Sequence, residues 1–210
     1  MSMIYALLDR LTERYSENEY RLEAMRARDE FFDRAGRVFD DDAELFEGRM
    51  ASFLEWYLLE RPSAGAGGQV PIVHAVQTSA GRPPDERRQI AALATTHRSL
   101  FQLSSTADRV LEVEDLIGGA QFSVLERRNT AGVAPGDVFE ARLIWDGERL
   151  VFGRTFLFHP PDAREVVLEW VDRVVKEGMP RAEILFHLSR QYVRWHRLGH
   201  IGAAKVYRDV

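Results

Sequence analysis

Apolar residues in the first third of the chain recur with the spacing of α-helices. Glycine at position 36 ends the first such pattern, and three aspartates at 40–42 predict the start of a second helix, because acidic side chains stabilise a helix N-terminus. The two helices are expected to pack as an antiparallel hairpin. One stripe on steps of three and four residues predicts a single helix over residues 2–34: Ile4, Leu8, Leu11, Tyr15, Leu22, Met25 and Phe32.

The middle of the chain changes from a helical to an alternating pattern. We interpret the glycine-rich segment 62–70 as a linker, and a helix is predicted to begin after Pro83 and Pro84. Gly-Gly at 118–119 and Asp-Gly at 146–147 predict tight hairpin turns, and Pro-Gly at 135–136 predicts a type II turn. These turns suggest an antiparallel meander that curls into a small barrel. Five strand-like segments follow each other: LFQLSST, RVLEVEDLI, QFSVLER, VFEARLIW and RLVFGRTFLF.

Helical periodicity returns after Pro160. The pattern predicts one helix that ends at Gly178 and a final helix over residues 181–198. Helices, then strands, then helices define an α+β fold. The predicted regions are a helical part at 1–99, a small antiparallel β-barrel-like domain at 100–160 and a C-terminal helical part at 161–210.

Composition narrows the class of protein further. The 210 residues include no cysteine, which excludes disulfides and thiolate chemistry and fits a reducing cytoplasm. The N-terminus does not have the pattern of a secretion signal, and no apolar run approaches the ~20 residues of a membrane span. The net charge is −5, and residues 1–60 carry 15 acidic and 8 basic residues. This imbalance argues against broad nucleic-acid binding, which needs clustered positive charge.

Three segments of the chain have a familiar order and composition: FLEWYLLERP at 53–62, DERRQIAALATTHRSLFQL at 85–103, and DLIGGAQFSVLERRNTAGVAPGDVFEARLI at 115–144. They resemble a group of largely uncharacterised bacterial proteins in which a helical segment precedes a small β-domain. That group is often found with a cysteine-rich SEC-C zinc motif. This chain has no cysteine and so departs from the motif. The resemblance implies the fold order and no particular activity.

Candidate metal and catalytic residues are sparse. The acidic run at 40–42, with Glu44 and Glu47, is explained by helix-start electrostatics, since the calcium-loop pattern is absent. His187 and His196 lie on opposite sides of a predicted helix, which does not suit a shared metal ion. No nucleophile motif is present. We therefore expect no cofactor, no metal and no enzymatic activity.

Two arginine-bearing regions are candidate binding sites. In the barrel, Arg127, Arg128 and Arg142 accompany Trp145, a combination that small barrels use to bind nucleic acid. The pair at 127–128 also loosely resembles the arginines of PilZ barrels, which bind cyclic dinucleotides, although the second PilZ motif is not matched. In the last helix, Arg190 and Arg194 lie one turn apart and form either a solvated face or a dock for an acidic partner.

The sequence favours a non-catalytic interaction protein, a scaffold or adaptor of the bacterial cytoplasm that self-associates or binds another protein. The expected interface is the first-helix stripe of Ile4, Leu8, Leu11 and Tyr15, unless that stripe packs inside the monomer. The alternative is a nucleic-acid or nucleotide-binding module that uses the small barrel. Of these partners we expect a protein rather than nucleic acid, and no membrane.

Overall fold

A computed structural model describes residues 3–39, 43–128 and 130–208. Within those residues it contains five strands: β1 His97–Ala107, β2 Val110–Asp115, β3 Gln121–Leu125, β4 Val138–Trp145 and β5 Leu150–Phe158. It also contains eight α-helices: α1 Met3–Ser16, α2 Arg21–Ala35, α3 Ala43–Leu59, α4 Pro71–Gln77, α5 Pro84–Leu93, α6 Arg164–Lys176, α7 Arg181–Leu198 and α8 Ala203–Arg208. The predicted α+β class is therefore confirmed, with helices before and after a central small barrel. The predicted helix start at 40–42 lies outside the described residues.

The chain divides into two compact units. Unit 1 comprises residues 1–32, 39–97 and 144–149, and unit 2 comprises residues 33–38, 98–143 and 150–210. Unit 1 thus holds α1, α3, α4 and α5 together with the turn between β4 and β5, and unit 2 holds most of the barrel and the last three helices. No helix in the described ranges has the length and apolar character needed to cross a membrane.

The single long helix predicted over 2–34 is wrong, because α1 and α2 are separated by a break at residues 17–20. Asn18 has a φ of +50°, a backbone conformation that cannot continue a right-handed helix. The break also redirects the apolar stripe. Its first half is buried, whereas Leu22 and Met25 in α2 are 71% and 48% exposed.

The first half of the stripe forms the core of unit 1. Ile4, Leu8, Leu11 and Tyr15 are each at most 3% exposed. The Tyr57 hydroxyl on α3 donates a hydrogen bond to the Tyr15 carbonyl at 2.8 Å, and the Tyr15 hydroxyl lies 2.7 Å from His74 Nδ1 on α4. The structure thus corrects the expectation of an interface at these four residues, because α3 and α4 already contact the same helix.

An arginine two residues after α3 binds the part of α2 that belongs to unit 1. Arg61 donates hydrogen bonds of 2.7 Å to Glu23 and to Glu30, both on α2. The hydrogen bond from Arg61 holds the pKa of Glu23 below its usual range. The glycine-rich segment that follows contains a hydrogen-bonded turn, in which Ser63 and Gln69 form a β-bridge and Ser63 is buried.

The barrel of unit 2 closes in the order β1-β2-β3-β5-β4. The pairs β1–β2 and β2–β3 are antiparallel, but β3 and β5 run parallel, with Leu125 opposite Val151. The barrel is therefore mixed, and the all-antiparallel meander was wrong in this detail. The chain passes from β3 to β4 through a twelve-residue loop, which leaves room for β5 to pair between them. Gly119, Gly136 and Gly147 adopt positive φ, as the predicted turns require.

Three helices follow the barrel, one more than the sequence predicted, since α8 adds a short turn near the C-terminus. The first two, α6 and α7, contribute most of a second apolar core that includes Trp170, Ile184 and Leu188. In α8, Tyr207 is buried and its hydroxyl lies 2.8 Å from Nδ1 of the buried His159. Burial lowers the pKa of His159 to about 3, so this imidazole is neutral near pH 7.

Candidate binding groove

A groove of about 580 Å³ lies in unit 1 between α5 and the turn that joins β4 to β5. We call it the Trp145 groove. Six of its lining residues come from α5 and its C-terminal turn and three come from the β4–β5 turn: Asp85, Arg88, Gln89, Ala91, Ala92, Thr95, Trp145, Asp146 and Gly147. Its volume falls within the roughly 300–1,000 Å³ that is usual for binding pockets.

The helix α5 turns a small-residue face to the groove because its large apolar residues are used elsewhere. Ile90 and Leu93 are fully buried in the unit 1 core. Ala91 and Ala92 lie between them in sequence and face outward, where their methyl groups line the groove. The helix ends directly after this pair, where the Thr95 hydroxyl donates to the Ala92 carbonyl at 3.1 Å. The α5 side of the groove lining therefore includes two short apolar side chains.

The opposite wall carries an exposed indole. Trp145 has the same strand parity as Phe139, Ala141 and Leu143, which fill the barrel interior, but β4 ends at Trp145 and its side chain remains 47% exposed. The next residue, Asp146, accepts hydrogen bonds at Oδ1 from the backbone N–H groups of Glu148 and Arg149. These bonds fix the turn, and the turn positions the indole beside α5.

Three charged side chains belong to the lining of the groove. Asp85 and Arg88 form an ion pair one helical turn apart on α5, with side chains 78% and 77% exposed. Asp146 adds a second carboxylate from the turn. The lining therefore combines one aromatic ring and two alanines with one excess negative charge. This arrangement suits binding of an apolar side chain that has polar or cationic neighbours.

The groove contains few side chains of the kinds that act in catalysis. Its only hydroxyl, on Thr95, is bonded to a backbone carbonyl, none of its nine lining residues is a histidine, lysine or cysteine, and its carboxylates are those of Asp85 and Asp146. Over residues 3–39, 43–128 and 130–208, no group of three His, Asp or Glu side chains is arranged to hold a metal ion.

The barrel arginines predicted to bind a ligand have different surroundings. The guanidinium of Arg128 donates to both carboxylate oxygens of Glu126, at 2.9 and 2.6 Å, and to the carbonyls of Gly153 and Arg154 on β5. It also lies 4.6 Å from the ring centre of Phe156. We call these contacts the Arg128 cluster. They tie the loop after β3 to β5, which leaves this guanidinium little capacity for a phosphate.

Electrostatics reinforces the Arg128 cluster. Burial alone would raise the pKa of Glu126, but the hydrogen bonds and positive charge of Arg128 outweigh burial and hold this pKa below its ordinary value. The neighbouring Arg127 is exposed. Arg127 and Arg128 carry the same sequence-based prediction, but their environments in the structure differ.

The other predicted arginines also differ in environment. Arg142 on β4 is 3% exposed, so it does not present a binding surface. Arg190 on α7 is exposed and donates to the carbonyls of Asp33 and Arg34 at the end of α2, which satisfies carbonyl groups that a helix end leaves open. Arg194 is exposed one turn further along. Of the predicted binding residues, Trp145 is the one that lines the groove.

Sequence reasoning missed the α5 side of the groove. The available signal was the Ala91-Ala92 pair, which lies outside the apolar stripe formed by Ile90 and Leu93. That pair becomes informative only when the turn at 145–147, more than 50 residues later, is known to lie beside it. A single sequence does not contain this proximity.

Residues 2–195 match a family described as a family of unknown function, DUF7986. No curated protein and no solved structure matches the chain. The match agrees with the predicted resemblance in that the family is uncharacterised, and a relation to SEC-C proteins stays a prediction.

Proposed function

Because the chain belongs to the DUF7986 family, whose function is unknown, we propose a role from the geometry of the Trp145 groove. The protein is a non-catalytic protein-interaction protein, a scaffold or adaptor of the bacterial cytoplasm, and it binds its partner in this groove. The observation that carries the proposal is the exposed indole of Trp145 facing the small side chains of Ala91 and Ala92. Tryptophan is enriched among the residues that contribute most of the binding energy at protein interfaces.

A second feature supports binding by unit 1. Large apolar side chains are exposed at several other places in that unit, including Leu22 and Met25 on α2 and Phe46 on α3. Scattered exposed apolar residues are normal, but Leu22 and Met25 share one face of a helix, three residues apart. These residues replace the α1 stripe as the candidates for self-association, since the α1 stripe is core.

Site-specific photo-cross-linking tests the proposal. We would replace Gln89, which lines the groove from α5, with a photoreactive phenylalanine analogue in the native host at native expression level, so that Trp145 stays in place. A matched control carries the same analogue at Phe158, an aromatic residue of unit 2 that is 36% exposed. We expect a discrete protein adduct from position 89 that is absent at position 158. The adduct should disappear when Ala92→Arg fills the groove. No adduct at position 89, or equal adducts at both positions, would contradict the proposal.

The alternative function is a nucleic-acid or nucleotide-binding module. It draws support from Phe158, which stacks on Phe156 with ring centres 5.6 Å apart and is partly exposed. The guanidinium of Arg128 is already hydrogen-bonded to Glu126 and to two backbone carbonyls. Nucleic-acid binding by the barrel therefore has less support than protein binding in the Trp145 groove. A salt titration with single-stranded RNA and DNA tests it, because affinity from phosphate contacts falls steeply with salt. Micromolar binding that weakens in this way and is reduced by Arg127→Ala would favour the alternative.

A further inference from the structure

We propose that the occupant of the Trp145 groove is a cationic protein segment, a short stretch with one or two apolar anchor residues flanked by lysine or arginine. This inference rests on the proposed function and adds the chemistry of the partner. It follows from the shape of the groove, from the charge around it and from the environment of the chain's own basic helix.

The shape selects the anchor. An apolar side chain between Trp145 and the alanine pair would contact the indole face on one side and methyl groups on the other. Asp85 and Asp146 belong to the same lining, so the residues next to that anchor would lie near these carboxylates. A purely polar segment would desolvate the indole without an apolar contact in return.

The charge selects the flanking residues. Unit 1 contains 18 acidic and 11 basic residues and so has a net charge of −7. The single arginine of the groove, Arg88, is already paired with Asp85. A lysine or arginine next to the anchor would be attracted by Asp146 and by the unit as a whole, and it could lie against the indole face. An acidic segment or a nucleic acid would be repelled by the same field.

A second copy of the chain fits this description less well. Six of the 17 basic residues of unit 2 lie on α7 and α8. Two of these six, Arg190 and Arg197 on α7, donate hydrogen bonds to backbone carbonyls of residues 33–37 in their own unit. Bringing these guanidinium groups to another molecule would leave those carbonyls without their present donors. A cationic segment of another protein needs no such rearrangement.

Fluorescence anisotropy with three labelled peptides of about 12 residues tests the inference on the full-length chain. The first peptide has two central leucines flanked by lysines. The second has glutamates in place of the lysines, and the third has serines in place of the leucines. We expect the first peptide to bind and the other two to bind at least about tenfold more weakly, because each lacks one of the two attractions.

Protein variants locate the binding. Trp145→Ala is expected to weaken the first peptide at least about tenfold. The double variant Asp85→Asn and Asp146→Asn should weaken it about fivefold at low salt and flatten its salt dependence, and asparagine at 146 keeps the oxygen that holds the turn. Asp172→Asn, which removes an exposed carboxylate paired with Lys176 on α6, is the matched control and should bind as the wild type does.

Three results would overturn the inference: equal or tighter binding of the glutamate peptide, no loss of affinity in Trp145→Ala, or no binding of the lysine–leucine peptide at about 1 mM. Any of these together with a cross-linked partner at position 89 leaves the proposed function standing and rejects only the cationic segment. A cross-linked dimer of this chain would identify a second copy as the occupant and reject the inference as well.

Discussion

Two regions of this molecule combine an aromatic ring with an arginine and a carboxylate: the Trp145 groove in unit 1 and the Arg128 cluster in unit 2. In the Arg128 cluster, four hydrogen bonds consume the guanidinium, and the partner carboxylate of Glu126 is 7% exposed. In the groove, the Asp85–Arg88 pair lies in solvent and the indole faces an open volume. The same residue types therefore stabilise the fold in one region and remain available to a partner in the other.

This difference shows what decides whether an arginine and an aromatic ring form a binding site. Residue type sets which contacts are chemically suitable. The number of donors already bound within the chain sets how much capacity remains, because a buried hydrogen bond to a charged group is costly to exchange for a new one. The residue types of the Arg128 cluster suit a phosphate site better than those of the groove do. However, its guanidinium has little remaining capacity to donate hydrogen bonds to a ligand. Variants that remove contacts of the Arg128 cluster, or the indole of the Trp145 groove, test this comparison.

The largest effect is expected from Arg128→Ala. The substitution leaves the Glu126 carboxylate buried with backbone donors alone, since the Arg128 N–H still reaches Glu126 at 2.7 Å. Breaking a buried pair by removing one partner costs about 3 kcal/mol or more, and we take the lower end because the Arg128 side chain is 43% exposed. Urea denaturation near pH 7 measures the loss of unfolding free energy. Arg127→Ala is the control and should cost less than about 0.5 kcal/mol. Equal losses would show that the cluster adds no stability.

A smaller effect is expected from exchanging the aromatic ring of each region for leucine. Phe156→Leu removes ring contacts to Phe139 and Phe152, at 5.6 and 5.0 Å, as well as the Arg128 contact. We expect it to lower the unfolding free energy by about 1–2 kcal/mol. Trp145→Leu should cost about 0.5 kcal/mol or less, because the indole is half exposed, yet it should impair partner binding. If the Trp145 variant loses more stability than the Phe156 variant, the groove is structural and the comparison fails.

Much of the fold could be predicted from the sequence because its signals are local. Alternation located all five strands, and the glycines at 119, 136 and 147 marked turns that require positive φ. The break at 17–20 was missed because the apolar stripe continues through it, although Asn18 is a residue type that tolerates the left-handed conformation found there. The position of β5 between β3 and β4 was missed because a meander is the default for consecutive strands.

The candidate site could be predicted only in part. The sequence predicts Trp145 as a candidate binding residue because it accompanies the arginines of the barrel. In the structure, however, Trp145 lines a groove with residues of α5. Burial of Arg142 and engagement of Arg128 depend on contacts between distant parts of the chain. Tertiary contacts decide which polar groups are satisfied, and composition does not report them.

The smallest effect concerns the pH dependence of the Arg128 cluster. Burial would raise the pKa of Glu126, but Arg128 outweighs burial, so the pKa lies below its ordinary value of 4.5 in the folded state. The carboxylate is then favoured by folding. Its contribution to stability is fully present above about pH 4.5 and is lost as the pH falls through the lowered folded-state pKa. The difference in unfolding free energy between the wild type and Glu126→Gln should stay constant from about pH 7 to about pH 4.5 and shrink below it. In an Arg128→Ala background this acid-induced loss should weaken, because the side chain that lowers the pKa is gone. Urea denaturation of the four variants at several pH values measures both, and an unchanged acid-induced loss without Arg128 would show that backbone donors hold the Glu126 carboxylate.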